Sequence, residues 1–198
     1  MTDQNKEYTI AREGSHPAVL TRIIRCGMHN VPGYQGAPAA DKPQIALCWE
    51  LLDEKRDDDK PWNVRTFGMV GNINEYYTEK GKLNTIMRGS FPEYKEGNRN
   101  LEPFVGKNVI LNMVHKPSRD GTKTYANFGN AQAFPDFMPA PEDKPMGDLV
   151  FFDFYKPKRE AWDLLSQNEQ EFILQAVDYN GSALAKMLGT EGAESTDY

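Results

Sequence analysis

Apolar positions recur at strand spacing through most of this chain and shift to helical spacing towards its end. From Ser15 to Met28, Val19, Leu20, Ile23 and Ile24 supply the apolar content of a first strand. Gly14 and Gly27 flank it, at places where a strand can bend sharply. Gln44 to Leu52 reads as a second strand, with Ile45, Leu47, Trp49 and Leu51 on one face and Ala46, Cys48 and Glu50 on the other. Trp62 to Val70 reads as a third, carrying Val64, Arg65, Phe67 and Met69. Leu83, Ile86 and Met87 then predict a helix over Thr78–Arg88, with Thr78 as its cap and Gly89 at its end. Residues 105–135 read as one long hairpin. Val109 to Val114 is its apolar outgoing strand, Lys116 to Gly121 its turn with Asp120-Gly121 at the tip, and Thr122 to Ala131 its return.

The order is strand, strand, strand, helix, strand, strand, which is that of a five-stranded oligonucleotide/oligosaccharide-binding (OB-fold) barrel. The expected fold class is therefore mainly β, with a helix between strands three and four. In such a barrel the ligand face centres on strands two and three, bordered here by loops 29–42 and 116–122. Past Pro135 the chain turns proline-rich and acidic, the composition of a linker. Within it, Leu149–Tyr155 (LVFFDFY) reads as an extended segment packing across the barrel, with contact to another subunit as the alternative. Helical spacing returns at Lys158–Leu165. Ser166 and Glu169 then have capping-box form before Phe172, Ile173, Ala176 and Val177, with Asn180-Gly181 as the stop and Ser182–Leu188 as a last short helix. Five regions follow: a loose N-terminus (1–13), the OB-fold domain (14–135), a linker (136–157), a helical extension (158–189) and an acidic tail (190–198).

Composition changes this picture in one respect. The net charge of −6 argues against an anionic ligand, but it is unevenly placed. Residues 1–135 hold 18 Lys and Arg against 16 Asp and Glu, a balance of +2, whereas residues 136–198 hold 5 against 13, a balance of −8. Local charge, not the sum, governs binding, and the strand-rich part is mildly basic. A hydrophobic share of 39% with 16 Gly and 13 Pro fits a small β core with substantial loops. The first residues lack the basic start and apolar run of a secretory signal, and no stretch has the length of a membrane span. A cytoplasmic protein with no membrane contact is the expectation.

Candidate chemistry concentrates at the hairpin. Lys116, Arg119 and Lys123 surround its turn, with Tyr125 and Phe128 on the return strand. Cations interleaved with aromatics suit single-stranded nucleic acid, whose phosphates need charge and whose bases need flat faces. Arg22, Arg65, Lys80, Lys82 and Arg88 are further candidates for phosphate, and Trp62, Phe67, Tyr76 and Tyr77 for stacking. Strand alternation puts Tyr125 and Phe128 on opposite faces, so only one of them stacks, and Trp49 belongs to the core. Cys26-x-x-His29 with Cys48 and His16 or His115 lacks the second close pair of a zinc site. Cys26 and Cys48 read as a reduced, buried pair. No phosphate loop and no HExxH or GxSxG motif is present, so neither an enzyme nor a cofactor is expected.

Gly14–Met28 (GSHPAVLTRIIRCGM), Ala46–Glu54 (ALCWELLDE), Glu79–Phe91 (EKGKLNTIMRGSF), Phe104–His115 (FVGKNVILNMVH) and Tyr125–Asn130 (YANFGN) together resemble the single-stranded DNA-binding proteins of tailed bacteriophages. The weight rests on their order across residues 14–131. The resemblance implies an OB-fold protein that coats single strands during replication, recombination or repair. It also implies partner proteins recruited through an acidic tail ending in an aromatic, to which Glu191, Glu194, Asp197 and Tyr198 correspond. A homo-oligomer is compatible with it. The other function class is a virion or protein-interaction module that uses the same barrel, and LVFFDFY, to assemble without binding DNA.

Overall fold

The computed structural model describes residues 9–33, 36–66, 73–139 and 141–190. They form a mainly β protein around one seven-stranded sheet. Strand β1 (Gly14–Val31) is its axis. Along one edge β1 pairs antiparallel with β2 (Ala40–Lys55), which in turn pairs with β3 (Pro61–Arg65) and the short β4 (Ile73–Asn74). The other edge is shared. Residues 14–19 pair antiparallel with β5 (Asn108–Pro117), and residues 22–25 pair in parallel with β7 (Val150–Asp153). Strand β6 (Thr124–Ala133) completes the hairpin outside β5, giving the order β3-β2-β1-β5-β6. Among the described residues no ladder joins β3 to β6. The sheet is thus not the closed five-stranded barrel expected, and it carries two additional strands.

Strand β7 lies inside the stretch expected as a linker, and its segment packs within the chain, as expected of LVFFDFY. Val150, Phe152 and Phe154 are buried, and they pack with Ile24, Cys26 and Ala46 against Trp162, Leu165, Ile173, Ala176 and Leu184. The opposite face of β1 and β2 carries Leu20, Ile23, Leu47 and Trp49, which pack against Leu111 and the helix α1 (Lys82–Ser90) through Leu83, Ile86 and Met87. Two cores therefore lie back to back on the same strands. A strand buried on both faces loses its polar positions, which explains the near-continuous apolar runs in β1 and β2. The last third of the chain is the second half of the fold.

Element ends differ from the sequence reading for local reasons. Helix α1 starts at Lys82, with Gly81 rather than Thr78 at the cap position. A Cβ on Gly81 would lie 2.5 Å from the Tyr76 carbonyl oxygen, so only glycine lets the chain pass this close as it turns into the helix. The helix runs through Gly89 to Ser90. Further on, α2 (Arg159–Asp163) buries Trp162, and α3 (Gln167–Leu174) opens with the full capping box of Ser166 and Glu169. That helix stops short of Ala176 because Val177 N–H donates to the Met28 carbonyl of β1 instead. There Gly27 adopts φ 83°, and a Cβ on it would meet Ala176 Cβ and Asp178 Oδ1, each at 3.0 Å. Ser182 caps the final helix, α4 (Ala183–Leu188).

Residues 9–13, expected to be loose, are held. Ala11 is buried, Arg12 N–H donates to Glu54, and His115 Nε2–H donates to the Ala11 carbonyl at 2.8 Å. His29 stacks on Phe172 with ring centroids 4.1 Å apart, and its Nε2–H donates to the Cys26 carbonyl. Burial lowers its pKa below the usual histidine value, because charging the ring there is costly. A base that protonates less readily when folded makes the unfolded chain the stronger proton binder, so its contribution to stability is lost as pH falls below the ordinary histidine range. The thermal midpoint is expected to drop between about pH 7 and 5. In His29→Gln part of that drop should vanish; an unchanged slope would contradict the assignment.

Candidate nucleic-acid interface

The β5–β6 hairpin places its cations by register. Lys116 faces Tyr125 across the strands and Pro117 faces Thr124. Beyond them the turn is closed by Ser118 N–H to the Lys123 carbonyl (2.7 Å) and by Lys123 N–H to Ser118 Oγ (2.9 Å). Asp120 Oδ1 accepts from Ser118 Oγ, from Thr122 Oγ1 and from Thr122 N–H. These bonds, the Ser118 hydroxyl first, hold its carboxyl down to about 2. The one carboxylate in the turn is thereby tied to the turn itself, while Lys116, Arg119 and Lys123 are exposed and have no carboxylate partner among the described residues. Tyr125 and Phe128 lie three positions apart on a regularly paired stretch of β6, opposite Lys116 and Met113, so strand alternation puts them on opposite faces. Tyr125 is 51% exposed. Phe128 turns inward and stacks on the buried Trp49 at 5.0 Å and 7°.

The start of α1 stands beside the hairpin. Burial first, and then the charge of Lys116, lowers the pKa of the Lys82 ammonium. Lys80, exposed, precedes it by two residues. Lys80, Lys116, Arg119, Lys123 and Tyr125 are exposed, and the charge of Lys116 is felt at Lys82.

Other expected site residues go elsewhere. Arg22 Nη1 pairs with Glu169 Oε2 at 2.9 Å and Arg65 Nη2 with Glu169 Oε1 at 3.4 Å, beneath α3. Glu169 is fully buried, so both arginines act as anchors for the C-terminal helices and not as free cations. Glu50 meanwhile accepts from Met146 and Gly147 N–H. Both faces of β2 are covered over residues 44–52, which removes the expected ligand face centred on strands two and three. Arg88 pairs with Glu96 at the surface at 3.7 Å. Trp62 is half-buried against the core that holds Trp49 and α1, with the Arg56 guanidinium 5.8 Å from its ring. Tyr76 is 41% exposed. Tyr34, Phe67, Glu191, Glu194, Asp197 and Tyr198 lie outside the described residues.

Tyr77 belongs to a network that sequence reasoning missed. Its hydroxyl donates to Glu75 Oε1 (2.6 Å) and accepts from Arg25 Nη2 (2.6 Å). Arg25 also reaches Asp153 through Nη1 (2.8 Å), Glu75 through Nε (2.8 Å) and the Arg99 carbonyl through Nη2 (2.7 Å). Burial, reinforced by the bond to Glu75, pushes the Tyr77 phenol pKa well above its usual value. Burial likewise raises Glu75 above the ordinary carboxylate range. The available signal was Arg25 itself, since a cation in the middle of a buried strand needs carboxylate partners.

Cys26 and Cys48 are buried free thiols, and burial pushes Cys48 up to about 12. Among the described residues no cluster of three or more His, Cys, Asp or Glu could hold a metal ion, and no helix is long and apolar enough to cross a membrane. No protein-family model matches the sequence, and a search of curated proteins found no relative.

Proposed function

We propose that this protein binds single-stranded DNA without sequence preference, through the surface formed by the hairpin tip and the start of α1. The observation that carries the reading is the cluster of exposed cations at the β5–β6 turn, Lys116, Arg119 and Lys123, beside the exposed Tyr125. Phosphates would meet Lys80, Lys82, Lys116, Arg119 and Lys123, and a base would lie on Tyr125. The surface offers mainly exposed cations and one ring, groups that meet phosphates and any base face, which favours tolerance of sequence over base readout. The strand order β3-β2-β1-β5-β6, with α1 before β5, supports reading the sheet as an OB-fold opened between its third and fifth strands. A role in phage DNA replication, recombination or repair in the host cytoplasm, with protein partners at the acidic tail, extends that reading. The protein-interaction alternative is less favoured, because Val150, Phe152 and Phe154 of LVFFDFY pack within the chain and only Leu149 and Tyr155 are left exposed.

Titration of a labelled oligo-dT at two salt concentrations tests the proposal. With about four phosphates neutralised on a single strand, log affinity falls with log salt at a slope near −3, so binding weakens roughly fifty-fold from ~50 to ~200 mM salt. No binding, or binding indifferent to salt, overturns it. The aromatic pair should separate cleanly. Tyr125→Ala is expected to weaken binding by about 1–3 kcal/mol with the fold intact. Phe128→Ala should instead lower the unfolding midpoint, because it strips a ring from Trp49. An affinity loss in the second variant alone would reverse the assignment.

A further inference from the structure

A cavity of about 910 Å³ opens between β7, the end of β1, the residues around β4 and the loop at 99–102, within the range of small-molecule sites. It shares no lining residue with the hairpin. We propose that it is a binding site for a single nucleotide, a base carrying a phosphate, held by stacking and charge and tolerant of the base. Three observations carry this. The walls are aromatic: Tyr77 and Phe151 are half-buried, while Tyr76 and Tyr155 are 41% and 46% exposed and present open ring surface. The floor is the Arg25 network, whose guanidinium is ion-paired with Glu75 and hydrogen-bonded to Asp153, Tyr77 and the Arg99 carbonyl. Groups committed to one another make a rigid platform and leave little hydrogen-bonding capacity for distinguishing bases. The rim is cationic. Lys158 pairs with Glu102, but Arg99 and Lys156 have no carboxylate partner among the described residues. Two cations beside open aromatic faces match an anion attached to a flat ring.

A free mononucleotide and one residue of a DNA strand present the same chemistry, so the test carries both, and it does not depend on the hairpin. The full-length protein is titrated with thymidine monophosphate, thymidine and oligo-dT while the aromatic and amide NMR signals of Phe151, Tyr155 and Lys156 are followed. Thymidine monophosphate should shift them, thymidine should bind at least tenfold more weakly, and the double variant Arg99→Ala/Lys156→Ala should show the same loss. Reversing Lys116, Arg119 and Lys123 should leave the mononucleotide titration unchanged, which separates this site from the hairpin. Shifts with oligo-dT alone would identify the occupant as a nucleotide of a strand; shifts with both would admit the free nucleotide. If neither moves these signals, or if thymidine binds as tightly as its monophosphate, the site is not one for nucleotides. The wild-type titrations alone decide this, whatever the variants do.

Discussion

Replacing Lys116, Arg119 and Lys123 together by glutamate is expected to weaken oligo-dT binding about a hundredfold. An exposed ion pair contributes up to about 1 kcal/mol, so three lost contacts amount to about 3 kcal/mol, and each 1.4 kcal/mol is tenfold in Kd. The loss should be the same for every base composition, because phosphates carry no sequence information. The salt slope should flatten by about 2, as three fewer cations displace counterions from a single strand. Stability should hold, since the hydrogen bonds of the turn belong to Ser118, Asp120, Thr122 and the backbone. Fluorescence anisotropy at two salt concentrations, with a thermal melt alongside, reads all three effects. Unchanged affinity in a folded variant would remove the hairpin from the interface.

The other large effect concerns Glu169. Its carboxylate lies fully buried between Arg22 and Arg65 and also accepts the Ser166 N–H at 2.8 Å. Glu169→Ala would leave two guanidinium groups facing a helix with no counter-charge and would remove half of the capping box. Breaking a buried pair costs about 3–5 kcal/mol. Here the arginine side chains retain 21% and 32% exposure, which lets water reach them and places the expected loss near 3 kcal/mol. That is a large share of the roughly 5–15 kcal/mol that holds a domain together. Urea unfolding measures it, and a loss below about 1 kcal/mol would show that the C-terminal helices are anchored elsewhere. Arg22→Ala supplies a companion: it should destabilise the fold and leave the salt slope of DNA binding unaltered, where a phosphate contact would do the reverse.

Much of the site was readable because it is local. Register in a hairpin follows from its turn, so the cations around Asp120-Gly121 and the opposite orientation of Tyr125 and Phe128 came from spacing alone. The Ser166–Glu169 capping box likewise involves residues three apart. Arg22 and Arg65 show where such reading stops. Their positions on strands two residues from an apolar neighbour are equally consistent with a phosphate and with a carboxylate. The deciding partner, Glu169, lies 147 residues from Arg22 in the chain. LVFFDFY had the composition of a strand but no local sign of what it would pair with.

The sequence by itself determined where five of the seven strands lie, where the hairpin turns, and that positive charge gathers at its tip. Alternation, turn chemistry and capping act over a few residues, and a single chain displays them openly. Only the tertiary structure decided that both faces of β1 and β2 are buried, that β7 pairs with β1, and that two of the arginines hold the C-terminal helices. It also brought Lys82 beside Lys116 and gathered Arg25, Glu75, Tyr77 and Asp153 into the floor of a cavity. Those outcomes depend on contacts between residues from 34 to nearly 150 positions apart, where burial and charge pairing act through space and leave no periodic trace in the chain.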